Sequence, residues 1–368
     1  MTKLNMIVAD SDDAYLRGIT GYMLAKHSER FTISGFTNSQ HLNDFLSSGN
    51  HKVDILLVSP DIYQEEFQKH KITLIAILSS GRLPQEYRNC EIINKYQLGE
   101  NLISNVINLF SEKSTEIIVH GGEKKTKVIS VFSPIGGSGK TTIAYGCALK
   151  YAQNGLKVFY LNFENVPSTA AFFESGTSNL SHILYYLKAK NKNLPLKIEG
   201  IKMEDQYSGI HYFAPPARLT DMQDIQPEEY SRLISVMREM SVYDVIIADM
   251  SGILEKNNLT VIKESDEVLF VVTPEISSYI KASSVISELE EIYQDGKDNI
   301  LSRFTIVLNK HFEGAATDIE NLKIGGKGIE VKIPKVSPLV TMQYGRAFIN
   351  TNGIFGEALA AITSRHEA

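Results

Sequence analysis

The stretch Val131–Thr142, VFSPIGGSGKTT, constrains this chain more than any other. It joins an apolar run, KVISVF (127–132), to a segment of helical spacing, TTIAYGCALKYAQ (141–153), through a turn of glycines. Such a turn points several backbone N–H groups at one place, where the helix N-terminus adds partial positive charge. The ligand it suits is an anion. Gly136, Gly137, Ser138 and Gly139 make the turn, Lys140 is placed to neutralise β- and γ-phosphates, and Thr141, followed by Thr142, offers a hydroxyl to Mg²⁺. Against the pattern G-x-x-x-x-G-K-[ST], Pro134 stands at the first glycine and Ile135 follows it.

A second feature supports the phosphate reading. In YDVIIADMSG (243–252), Asp249 ends an apolar strand before a small-residue turn, where a carboxylate reaches the Mg²⁺ shell beside bound phosphates. Other continuous apolar runs, KVFYLNF (157–163), EVLFVVT (267–273) and FTIVLNK (304–310), read as strands covered on both faces. Residues 127–368 are therefore expected to form a doubly wound α/β unit.

The first 111 residues repeat the rhythm on a smaller scale. LNMIVA, FTISGF, VDILLVS, ITLIAIL and CEIIN read as strands, with helices over Asp12–His27 and Gly99–Phe110, which predicts a second parallel sheet. Residues 112–126, EKSTEIIVHGGEKKT, read as the linker, with IIVH as an alternative edge strand.

Composition narrows the function classes. A net charge of -6 gives no broad footprint for nucleic acid, and the run Lys188, Lys190, Lys192, Lys197 reads as a solvated face. The two cysteines, Cys90 and Cys147, form no metal-spaced pair and suit a reducing cytoplasm. With no run of about 20 apolar residues, membrane contact is expected only through partners. The tail stripe Ile354, Phe355, Ala358, Leu359, Ile362 reads as core rather than as a membrane-surface helix.

Several segments together resemble the MinD/ParA family of deviant phosphate-loop ATPases. IGGSGKTT is similar to its K-G-G-x-G-K-[ST] loop, YDVIIADMSG to its second acidic motif, and VVTPEISSYIKASSVISEL to its TPE segment. FAPPARLTDMQDI and IVLNK also match, so the resemblance runs from about Lys127 to the C-terminus. It implies ATP and Mg²⁺ as cofactors and a nucleotide-bridged homodimer. It also implies that Asn309 bonds the adenine edge, with the turn near Pro334 closing that side.

Two departures bear on catalysis. Ile135 replaces the family's lysine that reaches the partner subunit's phosphates, and a cation at that point is worth much in phosphoryl transfer. The family's DxD becomes Asn162, Phe163, Glu164, which leaves Glu164 where a carboxylate orients the attacking water; a solvent-facing loop glutamate is the alternative. Lys140 and Glu164 are the expected catalytic pair, and slow hydrolysis is the expected outcome.

The N-terminal rhythm resembles a response-regulator receiver, with Ala9 and Asp10 at the acidic pair, Ser59 at the phosphoacceptor position and Lys95 at the lysine. Serine forms no acyl-phosphate, so a phosphorylation-independent platform is expected, and Lys95 reads as a solvated loop residue. A receiver-like domain followed by a MinD/ParA-like ATPase resembles the TadZ/CpaE family. Its members localise tight-adherence (Flp) pilus and secretion assembly proteins, often through a polar landmark. The alternative is a MinD- or ParA-type ATPase positioning a division site, DNA or other cargo; a redox enzyme or tyrosine kinase of the same lineage fits less well.

Overall fold

The computed structural model describes residues 3–28, 30–49, 51–81, 83–84, 87, 90–114, 125–174, 176, 179–190, 193–293, 299–312, 317–337, 340–343 and 346–366. The chain divides into two compact units, residues 1–121 with 191–201, and residues 122–190 with 202–368. The expected IIVH strand lies outside the described residues.

The first unit begins with β1 (Leu4–Ala9), α1 (Asp13–His27), β2 (Phe31–Phe36), α2 (Ser39–Ser47), β3 (Ile55–Val58), β4 (Leu74–Ser79), β5 (Glu91–Asn94) and α3 (Gly99–Lys113). Its sheet is parallel, as the strand rhythm predicts, and its order β2-β1-β3-β4-β5 is the flavodoxin-like winding that the receiver resemblance implies. Asp12 caps α1 by accepting from the Tyr15 N–H. The central strand β3 is buried along its whole length, and apolar clusters cover both faces of the sheet. Helix α3 runs to Lys113, so the first residues expected in the linker are helical.

The second unit carries β6 (Lys127–Phe132), α4 (Lys140–Gln153), β7 (Val158–Phe163) and α5 (Leu180–Lys188). Next in the chain comes α6 (Leu194–Ile201), whose contacts assign it to the first unit. The second unit resumes with β8 (Met203–Glu204), β9 (His211–Tyr212), α7 (Thr220–Gln223), α8 (Pro227–Glu239), β10 (Val245–Met250), α9 (Lys256–Glu264), β11 (Glu267–Val272) and α10 (Ile276–Tyr293). It ends with β12 (Phe304–His311), β13 (Ile329–Pro334), the hairpin β14 (Val340–Gln343) and β15 (Arg346–Ile349), and α11 (Gly353–Thr363).

Its sheet has the order β13-β12-β11-β6-β10-β7-β9-β8, with only the edge strand β8 antiparallel. Helix α4 lies on one face beside α11, where Phe355, Leu359 and Ile362 are buried as core, although Ile354 at the start of the tail stripe is exposed. Cys147 is buried in the same layer. Among the described residues, no helix is long and apolar enough to cross a membrane.

Helix α6 corrects the reading of the lysine run. Lys190 is exposed, but Lys197 is fully buried, donating to the Asn108 carbonyl at 3.2 Å and to Glu112 at 3.3 Å. Around it, Asn193 donates to the Ser114 carbonyl at 2.6 Å, the Ser104 hydroxyl to the Gly200 carbonyl, and Arg30 pairs with Glu199. Leu196 enters the core of the first unit. A lysine stem buries readily when its ammonium finds partners, and these partners come from a helix far away in sequence.

Candidate functional site

The glycine turn sits where β6 hands over to α4, at the carboxyl ends of the parallel strands, the place where open α/β sheets gather ligands. Gly139 is the N-cap of α4 with φ 88°, and a Cβ there would collide with the Asn309 amide. Only glycine meets both demands. Gly136 and Gly137 are exposed, Ile135 is half-buried, and the buried Ser138 hydroxyl has no hydrogen-bond partner among the described residues.

Three further strands deliver side chains to this end. Asp249 lies at the end of β10, paired in register with Asn162 of β7, and Glu164 follows β7 directly. Lys140 Nζ donates to Glu164 Oε1 at 3.1 Å, and the Thr141 hydroxyl lies 3.3 Å from the same oxygen. Glu164 Oε2 accepts from the Ser168 hydroxyl at 2.6 Å, the Ser168 N–H at 3.2 Å and the Asn162 amide at 3.3 Å. The solvent-facing alternative for Glu164 is therefore wrong: its side chain keeps only 14% exposure. Burial works to raise its pKa, but Ser168, Lys140 and Asn162 outweigh that and hold it below the usual range.

Asp249 is the opposite case. It is fully buried, and burial followed by the Glu164 charge pushes its pKa up to about 7 against the opposing pull of Tyr160, Lys140 and Thr141. Tyr160 of β7 donates its phenol to Asp249 Oδ2 at 2.8 Å. Among the described residues the other oxygen, Oδ1, has no hydrogen-bond partner, and it is buried. A buried carboxylate oxygen with a nearby threonine hydroxyl suits a divalent cation, so Asp249 and Thr141 fit Mg²⁺.

Asn309 of β12 is buried, and its amide donates to the Ser138 carbonyl at 2.7 Å, so one N–H braces the glycine turn. Lys310, in the left-handed region at φ 57°, donates to the Gly137 carbonyl at 2.7 Å. Pro334 ends β13, paired with His311 two residues beyond Asn309. The site residues named from sequence thus come from the turn after β6, the start of α4, the residue after β7, and β10, β12 and β13, all at one end of one sheet.

Sequence reasoning missed two members. Tyr160 precedes Asn162 by two residues in a strand, so the two-residue period was a usable signal. Lys310 adjoins Asn309, but its contact with the turn depends on a positive φ that no pattern announces.

In the first unit the receiver-like positions also meet. Lys95 is buried, a correction to its reading as a solvated loop residue, and its Nζ donates to Asp10 Oδ1 at 2.9 Å. The Tyr15 ring lies 4.5 Å and the Tyr96 ring 5.6 Å from that ammonium. Burial pulls the Lys95 pKa down, yet the Asp10 hydrogen bond and charge leave it raised. Ser59 is buried at the end of β3, and Asp61 is exposed in the following turn.

Residues 126–302 match the family model described as an AAA domain. No curated protein matches the sequence. Among solved structures, the septum site-determining protein MinD complexed with Mg-ADP from Pyrococcus horikoshii OT3 is 16% identical over 66% of this chain and 96% of its own, with a TM-score of 0.51. A plasmid partition protein from Borrelia burgdorferi is 16% identical over 66% of this chain and 98% of its own, with a TM-score of 0.50. A ParA family ATPase from Chlorobium tepidum TLS is 23% identical over 58% of this chain and 85% of its own, with a TM-score of 0.49. The fold is α/β with parallel-sheet domains, a fold shared with this MinD and this plasmid partition protein.

Proposed function

We propose that the chain is an ATP-binding, slowly hydrolysing localisation ATPase that dimerises and recruits tight-adherence (Flp) pilus and secretion assembly proteins. The observation that carries the ATPase part is the glycine turn, with Lys140 at the helix N-terminus and an unpartnered Asp249 oxygen on the neighbouring strand. The pilus part rests on the pairing of a receiver-like unit with this ATPase, as in the TadZ/CpaE family, and a polar landmark protein is the partner that would place it in the cytoplasm at one pole.

In this reading the turn and Lys140 hold the β- and γ-phosphates, and Thr141 and Asp249 hold Mg²⁺, which supplies charge neutralisation on the phosphate oxygens. Asn309 and Pro334 flank the base. Glu164 gives up Lys140 when phosphate arrives and is then free to orient a water. Hydrolysis is slow because Ile135 offers a partner subunit no cation, while Lys310 in the same chain is committed to the Gly137 carbonyl. ATP then acts chiefly as a ligand that sets assembly state.

Sedimentation of the full chain with and without ATP and Mg²⁺, beside a Lys140→Ala control, tests this. The expected result is an ATP-dependent dimer that the substitution abolishes. A dimer indifferent to both overturns the nucleotide-gated hub, as does turnover as fast as that of family members with the lysine. Salt-sensitive DNA binding would favour the cargo-positioning alternative.

A further inference from the structure

We propose that Tyr160 is a positioning residue for the metal site, holding the Asp249 carboxylate so that Oδ1 alone is presented to the cation; this rests on the reading of Asp249 as a Mg²⁺ ligand.

The argument starts from register. Strands β7 and β10 run side by side in parallel, with Tyr160 opposite Ile247 and Asn162 opposite Asp249. Side chains two apart on a strand share a face, so Tyr160 and Asn162 project together, separated by roughly 6.6 Å of rise. The phenol covers that distance, and its hydroxyl ends 2.8 Å from Asp249 Oδ2. Its ring is fixed by Tyr145 of α4, edge-on with centroids 6.2 Å apart, and by Phe173 at 5.4 Å. The hydroxyl is therefore placed by the same helix that begins with Lys140.

Packing alone does not call for tyrosine here. The neighbouring layers use Phe159, Phe163 and Phe173, and phenylalanine at 160 would fill nearly the same volume without a hydroxyl in the interior. A buried hydroxyl is costly unless it bonds, and this one bonds the carboxylate. The terminal torsion of an aspartate is broad and two-fold, so a carboxylate with neither oxygen tethered swings readily. One donor on Oδ2 removes that freedom and leaves Oδ1, buried and unpartnered, as the single oxygen for a cation. Hydrogen bonds that orient a ligating side chain typically control metal affinity by about 10- to 100-fold.

Calorimetric titration of ATP into the full chain, once with EDTA and once with Mg²⁺, separates this role from a structural one. Tyr160→Phe is expected to bind ATP in EDTA within about twofold of wild type, yet to lose about tenfold of the affinity gained from Mg²⁺. Adding it to Asp249→Asn, which has already lost the gain, should change nothing further. Tyr160→Met reads the same contrast should phenylalanine perturb folding. A Tyr160→Phe protein with the full Mg²⁺ gain overturns the inference and leaves the metal reading standing. A wild-type protein with no Mg²⁺ gain overturns both.

Discussion

Two lysines in this chain stand at the carboxyl end of a parallel sheet and hold a carboxylate, one beside a glycine turn and the other beneath two tyrosine rings. Lys140 pairs with Glu164 at 3.1 Å with side-chain exposures of 19% and 14%. Lys95 pairs with Asp10 at 2.9 Å, and Asp10 keeps 1%. The surroundings differ more than the distances. Next to Lys140 are an exposed glycine turn, an unpartnered Ser138 hydroxyl and an unpartnered Asp249 oxygen, groups that an incoming anion and cation would satisfy. Around Lys95 two tyrosine rings close over the ammonium and Asp10 Oδ1 also accepts from the Asp12 N–H, although Asp10 Oδ2 and the Ser59 hydroxyl are likewise buried without a hydrogen-bond partner among the described residues. The first pair opens onto a glycine turn, and the second lies beneath two aromatic rings. An ion pair is a switch only where its partners have somewhere better to go.

The largest expected losses separate the pairs directly. Lys140→Ala should weaken ATP binding by more than about 100-fold, since charge-assisted bonds to phosphate are lost, while leaving the melting temperature near wild type. Lys95→Met should do the reverse. It strands Asp10 in the interior and should cost about 3 kcal/mol in chemical denaturation, with ATP affinity within about twofold of wild type. Loss of nucleotide binding in the Lys95 variant would end the distinction.

A further effect concerns pH. The Asp249 pKa is raised in the folded chain, to about 7 from 3.8, so between those values the folded state holds a proton that the unfolded state has released. Stability of the ligand-free chain therefore falls through this group as pH rises from about 4 to 7. Asp249→Asn removes the penalty. Denaturation of the ligand-free variant should show a gain on the order of 4 kcal/mol at pH 7.5 that fades toward pH 4. A gain independent of pH would place its origin elsewhere.

The smallest effect tests exchangeability itself. Glu164→Gln removes the charge that competes with phosphate for Lys140, so ATP in EDTA should bind about fivefold tighter, the scale of one partly exposed ion pair. If Glu164 also orients water, turnover should fall in the same variant. Unchanged affinity would make the Lys140–Glu164 pair incidental.

Much of this was readable along the chain. The strand rhythm of both sheets, the start of α1 at Asp12, and the places of Lys140, Thr141 and Asp249 follow from periodicity and turn chemistry, which are local, while Glu164 was placed by the family resemblance. The misreadings share one cause. Lys95 and Lys197 look solvated because charged residues outside regular strands usually are, but each finds its hydrogen-bond partners 85 or more positions away in sequence. No local pattern carries that information.

The amino-acid sequence by itself determined the two α/β units and a glycine turn of the kind that suits an anion, because glycine at a positive φ and a helix start act through their own backbone. Tertiary structure decided which charges are free to act. It buried Lys95 against Asp10, carried α6 from between α5 and β8 into the first unit, and set Tyr160 on one oxygen of Asp249. The physical reason is that desolvation and hydrogen bonding depend on what the rest of the chain brings near, and a residue's own neighbours in sequence do not set them.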